Sequence, residues 1–204
     1  MADLSAKTQQ VKGVYINRQH QKMVGVFEIP VQYLVSEPDF QTLQWTIYLR
    51  KNKNECYVLT PDNTLAFAFS FKGEQFIFKS VKNFLGLKNP FQKSEKKIFL
   101  NTIVDGKISL LNIFHAEKGN SFSYGTSYYL EKGGQVFRLS GTNYKRQLKK
   151  IFSRNPEFLA LLKEKRYKKK DLPGIIRYFN ENYSGGIFTI CPGHSQNGII
   201  AGRC

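Results

Sequence analysis

The chain has 204 residues, 41% hydrophobic and 14% aromatic, and that much apolar area excludes a disordered chain. The length accommodates one domain or one domain with a small appendage. No window approaches the roughly 18 consecutive apolar residues of a transmembrane helix, and three Cys cannot form a disulfide framework. Thirty-one Lys+Arg against fifteen Asp+Glu leave a net charge of +16, which points to anionic surroundings or partners.

The chain opens Met1-Ala2-Asp3-Leu4-Ser5-Ala6-Lys7, without the cationic and apolar regions of a secretory leader. Two settings stand open. The chain is cytoplasmic, or it is exported and Leu4-Ser5-Ala6 is the remnant of a small-residue cleavage site.

Residues 11–139 read as strands. Asn17 to Lys22 can turn 13–16 into 23–29. Leu43, Trp45, Ile47 and Leu49 alternate with polar or smaller neighbours, and so do Leu65, Phe67, Phe69 and Phe71. A period of two puts each set on one face of a strand. The small second face of 65–71 suggests close packing there. Thr60-Pro61-Asp62-Asn63 links 56–59 to Leu65, and Lys72-Gly73 turns 65–71 into 75–81. Asp105-Gly106 lies between 97–104 and 107–114, where a type I′ hairpin turn would suit it. Gly133-Gly134 turns 127–130 into 135–139. Hairpins in succession, without helical crossovers, predict an antiparallel meander of roughly eight to ten strands. Such a sheet must curl, close or fold over to cover its apolar face.

The period changes at Gly141. Tyr144, Leu148, Ile151 and Phe152 follow helical spacing, with Asn143 placed to cap. Asn155-Pro156-Glu157 is a helix start, with Phe158, Leu159 and Leu162 inward. Asp171 can cap a third helix that buries Leu172, Ile175, Ile176 and Phe179. The expected organisation is α+β. An antiparallel β meander over 11–140 forms a curved sheet, open barrel or sandwich. Three short basic helices over 141–183 pack on it, and a flexible Gly-rich tail covers 184–204.

Three blocks carry a resemblance. Tyr57-Val58-Leu59-Thr60-Pro61-Asp62-Asn63 precedes an aromatic strand and Gly73-Glu74. Ile108-Ser109-Leu110-Leu111 leads, after a polar loop, to Tyr128-Tyr129-Leu130-Glu131-Lys132. The third block runs from Tyr144 to Tyr183 through Asn155-Pro156-Glu157, Lys170-Asp171-Leu172 and Tyr178-Phe179-Asn180. Together they resemble a group of functionally uncharacterised exported proteins of Bacteroidota, with a β-rich body and a short basic helical C-terminal segment. The resemblance covers about residues 11–183. It implies a periplasmic or envelope location and no particular activity.

Positive charge is concentrated late. Residues 141–183 hold twelve Lys+Arg against four Asp+Glu. The densest groups are Lys145-Arg146, Lys149-Lys150, Lys163, Lys165-Arg166 and Lys168-Lys169-Lys170. They are candidate anion-binding residues for lipid headgroups, lipopolysaccharide or another polyanion. A solvated helix face that keeps the protein soluble is the other reading. Nucleic acid is the less favoured polyanion, because Tyr167 is the one obvious stacking aromatic beside these groups.

The remaining chemistry is sparse. Cys191-Pro192-Gly193-His194 with Cys204 lacks the second close pair of a structural zinc site. A Cys191–Cys204 disulfide stays open, and Cys56 is expected to be a small buried hydrophobe. His20, His115 and His194 read as surface residues, and Glu28 and Glu37 lack the spacing of an acid/base pair. No Gly-x-Ser-x-Gly elbow or Gly-rich phosphate loop occurs, which excludes nucleotide-binding α/β folds. No cofactor is expected. The leading expectation is a non-enzymatic, envelope-associated binding or structural module. Polyanion binding through 145–170 and an enzyme with a site assembled from distant residues are the alternatives.

Overall fold

The computed structural model describes residues 7–32, 36–52, 55–83, 96–117, 120–139, 141–164 and 167–183. Ten strands form one antiparallel sheet: β1 (Lys7–Asn17), β2 (Lys22–Val31), β3 (Ile47–Arg50), β4 (Cys56–Leu59), β5 (Thr64–Phe71), β6 (Glu74–Lys82), β7 (Lys97–Val104), β8 (Ile108–Glu117), β9 (Asn120–Lys132) and β10 (Gln135–Leu139). Their spatial order is β10-β9-β8-β7-β6-β5-β1-β2-β3-β4. The expected α+β class is what the chain adopts, and the sheet remains open, with β4 and β10 at its edges.

One half of the sheet curls strongly. β4 and β5 are four strand spacings apart, about 19 Å in a flat sheet. Yet the chain passes from one to the other through a tight turn, in which Thr64 N–H donates to Thr60 O at 3.0 Å. Only a curl brings those ends together. Ser80 Oγ donates to Pro61 O at 2.6 Å and Arg18 Nε to Asp62 O at 2.9 Å, tying the turn back to β6 and the β1–β2 turn. Inside the curl lie Phe27, Ile29, Ile47, Leu49, Leu59, Phe67, Phe69, Phe71, Phe78 and Phe99. The Phe67 ring sits 4.8 Å from both Phe78 and Phe99, centre to centre. Gly13 is glycine for a steric reason, because a Cβ there would strike the Phe27 ring and the Ala68 carbonyl.

The other half is forked. β7 and β8 pair only near their hairpin, from Asn101↔Asn112 to Val104↔Leu110. Beyond Asn101 they part, and the segment between β2 and β3 fills the gap. A one-turn helix, α1 (Phe40–Leu43), begins at Asp39, whose Oδ1 accepts from Gln41 and Thr42 N–H. Gln44 follows and is almost fully buried. Its backbone carbonyl accepts from Phe99 N–H of β7 at 2.8 Å, and its Oε1 accepts from Phe114 N–H of β8 at 2.9 Å. One residue therefore replaces the missing ladder on both sides. Phe40 and Leu43 join the curled core, and Phe40 stacks on Phe114 with centroids 4.0 Å apart. Trp45 emerges on the opposite face, in a cluster with Ile98, Leu100, Leu111, Ile113 and Tyr129.

The helices α2 (Tyr144–Ile151), α3 (Pro156–Glu164) and α4 (Leu172–Tyr183) follow, with 3-10 turns at Gly141–Asn143 and Lys169–Asp171. Each is too short to persist alone in water. They dock through Leu148, Phe152, Phe158, Leu172, Ile175, Ile176 and Phe179 against Ile108, Leu110, Leu130 and Leu139. Phe152, Phe158 and Phe179 form a mutual triad with centroids 4.6–4.9 Å apart. Full burial of such side chains stabilises by about 1.5–3 kcal/mol each. Asn180 of α4 clamps the β7–β8 hairpin: its Oδ1 accepts from Ile108 N–H at 3.0 Å and its Nδ2 donates to Ile108 O at 2.8 Å.

Several local expectations are corrected. Leu43 belongs to α1 and not to a strand, because Asp39 caps a helix that the period-two reading overlooks. Leu65 is only half-buried, and Thr64 takes the inward place at the start of β5. The Asp105-Gly106 connection is a hairpin, but not a two-residue type I′ turn. Residues 105–107 bridge the strands, the register shifts beside them, and Asn180 supplies the bonds a tight turn would make. The polar run from Asn120 is strand β9 and not loop. Asn143 makes no side-chain cap, since a 3-10 turn already leads into α2. Asp171 Oδ2 accepts from Lys168 N–H at 2.7 Å, so it closes the 3-10 turn before α4. Cys56 is exposed on the edge strand and is not a buried hydrophobe. Ala66 and Ala68 are half-buried and line a small apolar groove with Val14, Ile16 and Ile77.

Candidate anion-binding surface

The helix α2 carries its apolar residues on one stripe and its cations on two flanks. Tyr144 and Leu148 are buried, while Lys145, Arg146, Lys149 and Lys150 are exposed. The 3.6-residue period puts Gln147, Lys150 and Ile151 on one flank and Lys145 and Lys149 on the other, and Arg154 follows in the turn after the helix. Each flank borders a concavity.

The larger concavity, about 750 Å³, lies between α2 and the β9–β10 hairpin. Among the described residues its cations are Lys132, Arg138, Lys150 and Arg154, and no described carboxylate lines it. Arg138, Lys150 and Arg154 are exposed. Lys132 is half-buried and partly committed: its Nζ donates to Ile151 O at 2.9 Å and lies 5.8 Å from the Phe152 ring centre. A cation at that helix end complements the negative pole of the dipole. Gly133 and Gly134, both at positive φ, make the turn that holds Lys132 beside α2.

The smaller concavity, about 260 Å³, lies on the other flank, between Lys145 and Lys149 of α2 and Lys163 of α3. Its wall is fixed by Tyr144, whose hydroxyl donates to Tyr167 O at 2.9 Å. Burial, aided by Asp171, pushes the Tyr144 phenol above its ordinary range and keeps it a donor.

The structure places the expected site residues as follows. Lys145, Arg146, Lys149, Lys150, Lys163, Lys168 and Lys170 are exposed. Lys169 is half-buried, its ammonium 5.1 Å from the Tyr128 ring centre. Lys165 and Arg166 lie outside the described residues. So do Cys191, His194, Cys204 and the whole expected tail. Sequence reasoning missed Lys132, Arg138 and Arg154. Lys132 and Arg138 straddle a legible Gly-Gly turn, and Arg154 lies one turn beyond Lys150, but nothing local says that hairpin and helix meet.

The acids near these cations are few. The four ion pairs among the described residues are Arg50–Glu28, Lys51–Glu55, Lys72–Glu37 and Lys79–Asp105, all outside the helical segment. Glu28 and Glu37 are thereby paired to separate cations. His20 sits in the β1–β2 turn at positive φ, and His115 lies over Gly125 of the neighbouring strand. Among the described residues no helix is long and apolar enough to cross a membrane. No family model, curated protein or solved structure matches this chain.

Proposed function

We propose that the protein is a non-enzymatic binding module whose basic helical face engages phosphate-bearing polyanions. One observation carries this reading. The exposed cations of α2, α3 and the 3-10 turn before α4 make no ion pair among the described residues, whereas four acids of the β body, Glu28, Glu37, Glu55 and Asp105, are paired with body cations. Unneutralised charge on both flanks of one helix attracts polyanions by releasing their counterions. Lysines outnumber arginines there, and point-charge ammoniums favour attraction without bidentate selectivity. The expected binding is therefore weak, salt-sensitive and indifferent to sequence. The envelope setting implied by the sequence resemblance would supply anionic lipid headgroups as one such surface.

The test titrates a single-stranded oligonucleotide and phosphatidylglycerol vesicles at about 50 and 200 mM salt, where surface attraction fades. Affinity for both should fall steeply. Reversing Lys145, Lys149, Lys163 and Lys168 to Glu should keep the circular dichroism spectrum and abolish binding. In the wild type those four contacts would account for about three units of the log–log salt slope for a single strand. Binding unaffected by the reversal would overturn the reading, and so would tight binding to one nucleic-acid sequence that survives the higher salt.

A further inference from the structure

β10 is one outer edge of the sheet. The two-residue turn makes Lys132 and Gln135 a hydrogen-bonded pair, and Phe137↔Leu130 and Leu139↔Tyr128 repeat it. The peptide groups of Val136 and Arg138 therefore point away from β9. Among the described residues no strand pairs with them. Both residues line the 750 Å³ groove against α2.

We infer that this groove receives an extended acidic peptide, which adds to β10 as a further strand. The backbone decides the kind of chain. Each outward-facing residue offers one N–H and one C=O, and another peptide strand supplies the complementary acceptor and donor. A phosphodiester chain or a lipid headgroup presents acceptor oxygens, which match the N–H groups but confront the carbonyls. The side chains decide the sign. Arg138, Lys150 and Arg154 reach the groove from both of its walls, with no carboxylate among the described lining residues. A second copy of β10 would bring identical cations together. Residues 184–204 contain no Asp or Glu, so that segment offers no acidic side chain to the groove. Half-buried Val136, Phe137 and Ile151 offer apolar contact to alternate side chains of the incoming strand. β10 has five residues, about 17 Å of strand, which sets the occupant at five or six residues. The inference goes beyond polyanion attraction, because it requires backbone pairing.

The experiment uses the full chain and a fluorescein-labelled hexapeptide alternating glutamate and valine, followed by anisotropy at about 50 mM salt. The peptide should bind, and methylating its alternate backbone nitrogens should weaken binding at least about tenfold, as expected for loss of ladder hydrogen bonds worth more than 1.4 kcal/mol together. Arg138→Glu and Arg154→Glu should each weaken it, while Lys145→Glu on the far flank of α2 should not. Circular dichroism checks that each variant is folded. Equal affinity for the methylated peptide would overturn the inference, since charge alone would then explain binding. So would displacement of the peptide by an equimolar oligothymidylate, or a concentration-dependent dimer that excludes the peptide. Those failures leave the salt-sensitive polyanion titration as a separate result.

Discussion

Replacing Asn180 by Ala removes the clamp between α4 and the β7–β8 hairpin. Three bonds go: from Ile108 N–H at 3.0 Å, to Ile108 O at 2.8 Å and a long one to Asp105 O at 3.4 Å. Each contributes about 0.5–1.5 kcal/mol net when made, and a buried group left without a partner costs about 1–3 kcal/mol. Ile108 is fully buried but Asn180 is half-exposed, so water can re-enter part of the gap. The expected loss is about 2–3 kcal/mol. For a chain of this length that lowers the melting temperature by about 4–12 °C. Differential scanning calorimetry measures it directly. The geometry adds a coupling test. A Cβ on Gly106 would collide with the Asn180 amide, and Gly106 holds φ +155°. Gly106→Ala should therefore destabilise the native chain more than it destabilises the Asn180→Ala chain, because the collision disappears and only backbone strain remains. A melting point that moves by less than about 1 °C in Asn180→Ala, or strictly additive effects in the double variant, would refute the clamp.

Gln44→Ala should cost about 1–3 kcal/mol in urea unfolding, through loss of the bond from Phe114 N–H to the buried side-chain amide. Gln44→Glu should be worse at neutral pH and recover in acid, as the buried carboxylate takes up a proton. The Cys56 thiol is held above its ordinary range, first by desolvation among its neighbours and then by the Glu28 carboxylate. Its alkylation in a Cys191→Ser, Cys204→Ser background should therefore lag a free thiol near pH 8 and speed up in Glu28→Gln. Burial raises the phenols of Tyr129 and Tyr144. Their contribution to stability should persist below the unfolded phenol range near about pH 10 and fall as pH rises through their folded values, which alkaline melts in both Tyr→Phe variants would show.

What was legible in the sequence was local. The alternation of Phe67, Phe69 and Phe71 gave their shared buried face, and Gly133-Gly134 gave a true tight turn, because side-chain period and positive φ are properties of neighbours. The exposed lysines of α2 were legible too, since Tyr144 and Leu148 claim its buried stripe. The fork was not, for Gln44 bonds to a strand residue 70 positions away. The Asn180 clamp spans 72 positions and overrides the turn that Asp105-Gly106 suggests. The groove escaped for the same reason. It exists only where the β9–β10 hairpin meets α2, and half of its cations lie before residue 141, outside the basic block.

The central place of β1 bears on how the chain reaches this state. β1 pairs with β2 at once through a short turn, but its second neighbour is β5, which begins only at Thr64. While the chain is being synthesised, residues 13–17 therefore face the solvent as an open strand edge until about fifty further residues emerge. That edge carries Val14, Tyr15 and Ile16, with no charged side chain among residues 13–17 to deter pairing with another molecule. Strand pairing across such a separation is intrinsically slow. Refolding at high concentration should thus lose material through the first strand before the helices have docked, whereas slow dilution lets β5 arrive first.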